Sequence, residues 1–152
     1  MRHSWIVRFA WPCMLLCPLS TLATSPSPVG RWTTIDDQTG QAKSVVEITL
    51  HANGTLSGKV VDILQSERGP NPICDKCSDD RKGRPIKGME IIRSMKPDGE
   101  RWSGGSILKP DEGRIYKARM QLLEGGDKLE VSGCVAFICK AQVWVRRQAD
   151  AP

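Results

Sequence analysis

Four cysteines have the spacing most suited to chemistry: Cys74 and Cys77 in a C-x2-C, and Cys134 and Cys139 in a C-x4-C. Three chemistries use such a set. Four thiolates have the ligand type and number of a structural zinc site. A C-x2-C pair can exchange electrons with other thiols when its first sulfur sits at a helix N-terminus that depresses its pKa. The sulfurs can also pair as disulfides, the usual state of an even number of cysteines in an exported chain. An oxidising destination removes the thiolates that zinc needs. Cys74-Asp75-Lys76-Cys77 lies in a Pro/Gly-rich loop with no strand-to-helix context, which argues against the redox use. Disulfides are therefore expected, and no metal or other cofactor. Local pairing, 74 with 77 and 134 with 139, is self-contained. Cross pairing would strap one segment to the other, and both remain open at this point.

Other reactive groups are sparse. With His3 in the leader described below, His51 is the one histidine left to do chemistry, and it stands beside the Asn53-Gly54 turn. No nucleophile–base pair can be assembled around it. The carboxylates of Asp36-Asp37, Asp79-Asp80 and Asp111-Glu112 fall at turns or in loops, where such side chains bond nearby backbone. No Gly-rich phosphate cradle opens a helix. The expectation is a protein that is not an enzyme, with no catalytic residues. Lys76, Arg81, Lys82, Arg84 and Lys87 form a basic run, but Asp75, Asp79 and Asp80 interrupt it and no aromatic lies within it for bases to stack on. No nucleic-acid partner is expected.

The first 23 residues are expected to be a signal peptide. Arg2 and Arg8 supply positive charge, Phe9 to Leu19 is mostly apolar, and small residues end at Ala23. The apolar run falls short of the ~20 residues that a membrane-spanning helix requires, and Pro12 and Pro18 interrupt it. The mature chain is thus expected to be periplasmic or secreted, with no transmembrane span. The whole chain carries +5, and loss of Arg2 and Arg8 leaves +3, which favours solubility. Residues 24–29 read as a linker, 30–147 as one domain and 148–152 as a tail.

The elements that must position the cysteines are strands. Val46, Ile48 and Leu50 alternate with polar residues. Leu56, Val60 and Leu64 share a face in the next run. Tyr116, Ala118, Met120 and Leu122 alternate with Lys117, Arg119 and Gln121. Leu129 and Val131 alternate with Glu130 and Ser132, and Val143 and Val145 with Gln142, Trp144 and Arg146. Asn53-Gly54, Pro97-Asp98-Gly99, Pro110-Asp111-Glu112-Gly113 and Gly125-Gly126-Asp127 mark turns. Strands are predicted at 30–35, 43–50, 55–64, 87–93, 101–108, 114–122, 128–135 and 140–147. The fold class is all-β, a single eight-stranded up-and-down antiparallel barrel with little or no helix. Gly104 and Gly105, mid-strand, mark a bend or bulge. The stretch 65–85 has no period and is long for a loop, so it reads as functional or tied down.

Gly30-x-Trp32 at the start and Arg146 near the end offer a way to close the barrel: the indole plugs the base and the last strand's guanidinium covers its face. Trp102, Tyr116 and Trp144 are candidates to line a cavity wall or simply to pack it.

Gly30-x-Trp32, Pro72-x-Cys74-x-x-Cys77, Trp102-Ser103-Gly104-Gly105 and Trp144-x-Arg146 together resemble the small exported bacterial proteins catalogued as domain of unknown function 2147, over about residues 29–147. The resemblance implies a periplasmic or secreted barrel of lipocalin-like shape and no established reaction. The Gly-x-Trp and C-terminal Arg also resemble true lipocalins, which implies carriage of small apolar molecules by analogy of architecture. The leading expectation is a non-catalytic exported barrel that binds a small apolar or amphipathic molecule in its mouth, with 65–85 as lid and the four cysteines as rim staples. The alternatives are a packed structural or stress-related envelope protein acting through protein contacts, and a thiol-redox or four-cysteine zinc module.

Overall fold

The computed structural model describes residues 25–148. The expected signal peptide lies outside the described residues, as does the expected tail beyond Gln148. Eight strands follow one another: β1 (Gly30–Ile35), β2 (Ala42–Leu50), β3 (Leu56–Ile63), β4 (Glu90–Asp98), β5 (Arg101–Lys109), β6 (Arg114–Leu123), β7 (Lys128–Val135) and β8 (Ile138–Arg147). They form one closed antiparallel barrel in sequence order. Pairing of Trp32 with Arg146 joins β1 to β8 and removes the last free edge. The all-β, up-and-down expectation holds; the helical content of the described residues is one 3-10 turn, Glu124–Gly126.

Period two decides which side chains enter the barrel. Across the strands Ile48, Gly58, Ile92, Ile107 and Tyr116 stand side by side. So do Gly105, Ala118 and Gly133, and so do Leu122, Leu129 and Trp144. The inward face of β8 is thus Trp144 with Gln142 and Arg146, while Val143 and Val145 are exposed. Leu64, expected on the inner face with Leu56 and Val60, lies past the end of β3 and is exposed.

β4 departs from its prediction at 87–93. Ser94 adopts a positive φ of 57°, which bulges the strand so that Ile92 and Met95, three residues apart, both point inward. That break in period hides the continuation through Pro97 to Asp98. The facing strand β5 has the partner irregularity: Gly104 at φ 73° lets Trp102 and Gly105 pair with the inward Met120 and Ala118. The Gly104-Gly105 expectation of a bulge is met.

The stretch between β3 and β4 is folded rather than loose. Ile73 bridges to Pro85, the Cys74 N–H donates to the Arg84 carbonyl, and the Gly83 N–H donates to the Cys74 carbonyl. Cys74, Cys77, Ile86 and Met89 join the barrel's apolar cluster.

Candidate functional site

At the base of the barrel the structure brings Gly30, Trp32 and Arg146 together. The Arg146 guanidinium carbon lies 4.2 Å from the centroid of the Trp32 ring. Its Nε donates to the Gly126 carbonyl at 2.6 Å, Nη2 to that of Ser27 at 2.7 Å and Nη1 to that of Val29 at 3.2 Å. The planar fork of arginine suits three separated acceptors, where a lysine would reach one. The Trp32 indole N–H donates to the Pro28 carbonyl at 2.8 Å, so residues 27–29 fold beneath the ring. Gly30 has φ 125°, and a Cβ there would meet Arg146 Nη1 at 3.3 Å.

At the opposite end, the mouth, the segment between β3 and β4 docks on the β5–β6 turn. The Cys74 sulfur faces the Pro110 carbonyl. A Cβ on Gly113, already at φ 67°, would collide with the Lys76 backbone. Asp111 receives both Lys43, at 3.4 Å, and Arg68, at 3.1 Å, and Arg68 also pairs with Asp75 at 2.7 Å. Charge thus ties β2, the long segment and the β5–β6 turn into one cap. Arg81, buried, forks onto Asp79 and donates to the Glu90 carbonyl. Arg93 forks onto Asp80 at 2.9 Å through each nitrogen. Two cations of the basic run are charge-paired, Arg81 with Asp79 and Lys87 with Asp62, and the Lys82 ammonium donates to the Asp75 carbonyl.

Cys74 bonds Cys77, and Cys134 bonds Cys139. Local pairing leaves none of these four sulfurs as a thiolate for zinc. The first disulfide is buried in the core cluster. The second joins directly opposed residues across β7 and β8. Replacing Cys134 and Cys139 together by Ala should lower stability by about 2 kcal/mol, the loop-entropy value for so short a ring. Denaturant titration of the double variant checks this.

The wall aromatics pack. Trp144 is fully buried beside Leu129, and Trp102 and Tyr116 lie partly buried against the same cluster. The Tyr116 ring fills the space above Gly133, and its hydroxyl donates to Glu112. Trp32, Ile48, Ile92, Met95 and Met120 are 0–1% exposed, so these side chains touch no space that water could enter. Two clefts lie at the surface. One of about 440 Å³ is lined by charged groups such as Lys59, Arg84 and Arg93, and one of about 560 Å³ by Arg101, Lys117 and Arg119 on the outer wall.

The acidic pairs act as anchors. Asp36 accepts from the backbone of Thr39 and Gln38, which holds its pKa down to about 2. The Arg93 fork holds Asp80 down to about 2. Both folded values lie below the ordinary ~3.9. The unfolded chain therefore binds protons first as pH falls. The stability these groups add is complete above about pH 4 and is lost as pH drops towards 2. Carboxyl NMR should find both side chains ionised at about pH 3, and Arg93→Met should return Asp80 alone to the ordinary range.

His51, at the base turn, pairs its Nε2 with the Ser57 hydroxyl at 2.7 Å. Sequence reasoning missed the Arg81 fork, which is local to Asp79, and the Arg93 fork, whose partner Asp80 is brought to it by the fold. It also missed the apolar tip of the β7–β8 hairpin. Ala136 there has φ 51°, a turn made without the Gly or Asn that would have marked it.

A family model described as "Uncharacterized protein conserved in bacteria (DUF2147)" matches residues 30–146. Protein HP1028 from the human pathogen Helicobacter pylori, reported to belong to the lipocalin family, has a similar solved structure. The TM-score is 0.68 at 17% identity, over 81% of this chain and 84% of the other. At that identity the likeness shows the fold. No curated protein matches the chain.

Proposed function

The chain belongs to the bacterial family DUF2147, and from that membership and the barrel's geometry we propose a non-catalytic exported protein that acts through its outer surface within the cell envelope. The carrying observation is the filled interior: Trp32, Met95, Met120 and Trp144 occupy the volume that a carrier barrel would keep for its cargo. Both ends support the same reading, with the Arg146 latch below and the Asp111 charge network above. Two disulfides suit an oxidising compartment, and periplasm is the natural one for a bacterial chain with the expected leader. The test is native mass spectrometry of protein purified from its own envelope. The expected mass is that of the bare, twice-oxidised chain; a stoichiometric small molecule would overturn the reading.

That second outcome belongs to the carrier alternative, which the lipocalin-like fold favours. Cargo would then have to displace Met95 and Met120, unbranched side chains that repack at modest cost.

A further inference from the structure

We propose that the β7–β8 hairpin docks this barrel on an anionic phospholipid surface. The inference rests on the reading that the exterior does the work, and it names the surface concerned. Phe137 is 91% exposed, Ile138 71% and Val135 55%. These three residues form the exposed apolar tip of the hairpin, Phe137 at its turn and Val135 paired with Ile138 at the ends of the two strands. Folding has spent two devices on holding that point in place. Ala136 sits at φ 51°, where a non-glycine residue is strained. The Cys134–Cys139 disulfide clamps the strands immediately beneath it. A tip kept rigid and apolar against the pull of solvation is a feature with a use.

The neighbouring outer wall says what the tip meets. Lys117 stands opposite Cys134 and Arg119 opposite Ser132 in the β6–β7 ladder. Both alternate with the buried Ala118 and Met120, so they point away from the interior. With Arg101 they line a cleft that reaches Cys134 and Ala136. These three cations have no hydrogen bond or ion pair among the described residues, unlike Arg68, Arg81 and Arg93 at the other cleft and the mouth. Asp98, the acid of that cleft, accepts from the Ser103 hydroxyl at 2.8 Å and makes no ion pair with the three cations. Ile115, exposed, extends the apolar point along the same outer face of β6.

An apolar tip beside unpaired cations matches the two layers of an anionic bilayer: acyl chains for the first, phosphate headgroups for the second. A protein partner fits less well. Three protruding side chains offer far less than the ~800 Å² per partner of a stable protein interface, whereas a few inserted apolar residues and a basic patch suffice at a membrane.

The test uses purified protein lacking residues 1–23, so that a retained leader cannot bind lipid, with both disulfides formed. Co-sedimentation is measured with phosphatidylglycerol–phosphatidylcholine vesicles and with phosphatidylcholine vesicles alone. The protein should pellet with the anionic vesicles and be released by salt. Phe137→Ser with Ile138→Ser should weaken binding at least tenfold, and Lys117→Glu with Arg119→Glu at least tenfold. Thermal melts identify any variant that fails to fold. No binding to anionic vesicles, or binding indifferent to both pairs of substitutions, overturns the proposal. So does a photo-crosslinker at position 137 that traps a protein in cells and no lipid. None of these results touches the mass measurement of the preceding subsection, so the two readings fail separately.

Discussion

Trp32→Ala should lower the unfolding free energy by about 3–5 kcal/mol, the usual range for emptying a buried tryptophan site. Several losses fall together. The ring is fully buried in the apolar cluster, its N–H donates to the Pro28 carbonyl, and the Arg146 guanidinium rests on its face. Removing the indole leaves a cavity and takes away the surface on which Arg146 lies. The arginine still holds the Ser27, Val29 and Gly126 carbonyls, so the N-terminal segment need not detach. Trp32→Phe separates the contributions. It keeps most of the packing and loses the Pro28 bond, at an expected cost of about 1–2 kcal/mol. Urea titration followed by Trp102 and Trp144 fluorescence measures both. A loss below about 1 kcal/mol for Trp32→Ala would mean that the base repacks around the gap.

Gly105→Ala should be comparably damaging, although it adds one methyl group. The new Cβ would lie 2.8 Å from the Met95 backbone nitrogen and 2.6 Å from its sulfur, and nearer still to the Arg93 carbonyl oxygen. A side chain can turn aside; the β4 backbone cannot without opening the β4–β5 ladder between the Arg93–Ser106 and Lys96–Ser103 pairs. Overpacking typically costs about 1–3 kcal/mol, and a backbone collision belongs at or above the top of that range. The neighbouring Gly104 is the control. A Cβ there approaches only Lys96, at 4.0 Å, so Gly104→Ala is charged for its positive φ alone, about 1 kcal/mol. Amide exchange across β4 and β5 should report the difference locally, with Gly105→Ala exposing Met95 and Ile92 amides that Gly104→Ala leaves protected.

The packed middle of the barrel supports the surface-acting proposal, while the lipocalin-like fold is compatible with the leading expectation of a ligand in the mouth. Leu, Ile and Val at alternate positions are equally compatible with lining a cavity and with filling it. What decides is the set of small residues facing large ones: Gly105 under Met95, Gly133 under Tyr116, Gly58 against Ile92 and Val46. Those contacts cross the barrel wall from strand to strand and leave no mark in local sequence.

Strand number, strand order and the pairing of β1 with β8 were legible in the residues themselves. Period two is a local property, and turn chemistry between the runs sets antiparallel neighbours. The reading failed where local rules were broken by a bulge, at Ser94, and by a turn without glycine, at Ala136. Both need a partner strand to hold them. Cysteine spacing left three pairings open, and the fold chose two local ones by opposing Cys134 to Cys139 and by folding Pro72–Ile86 on itself. The forks of Arg93 and Arg146 are likewise tertiary. A guanidinium's acceptors are defined by where distant backbone and carboxylates come to rest, and only the closed barrel brings them within reach.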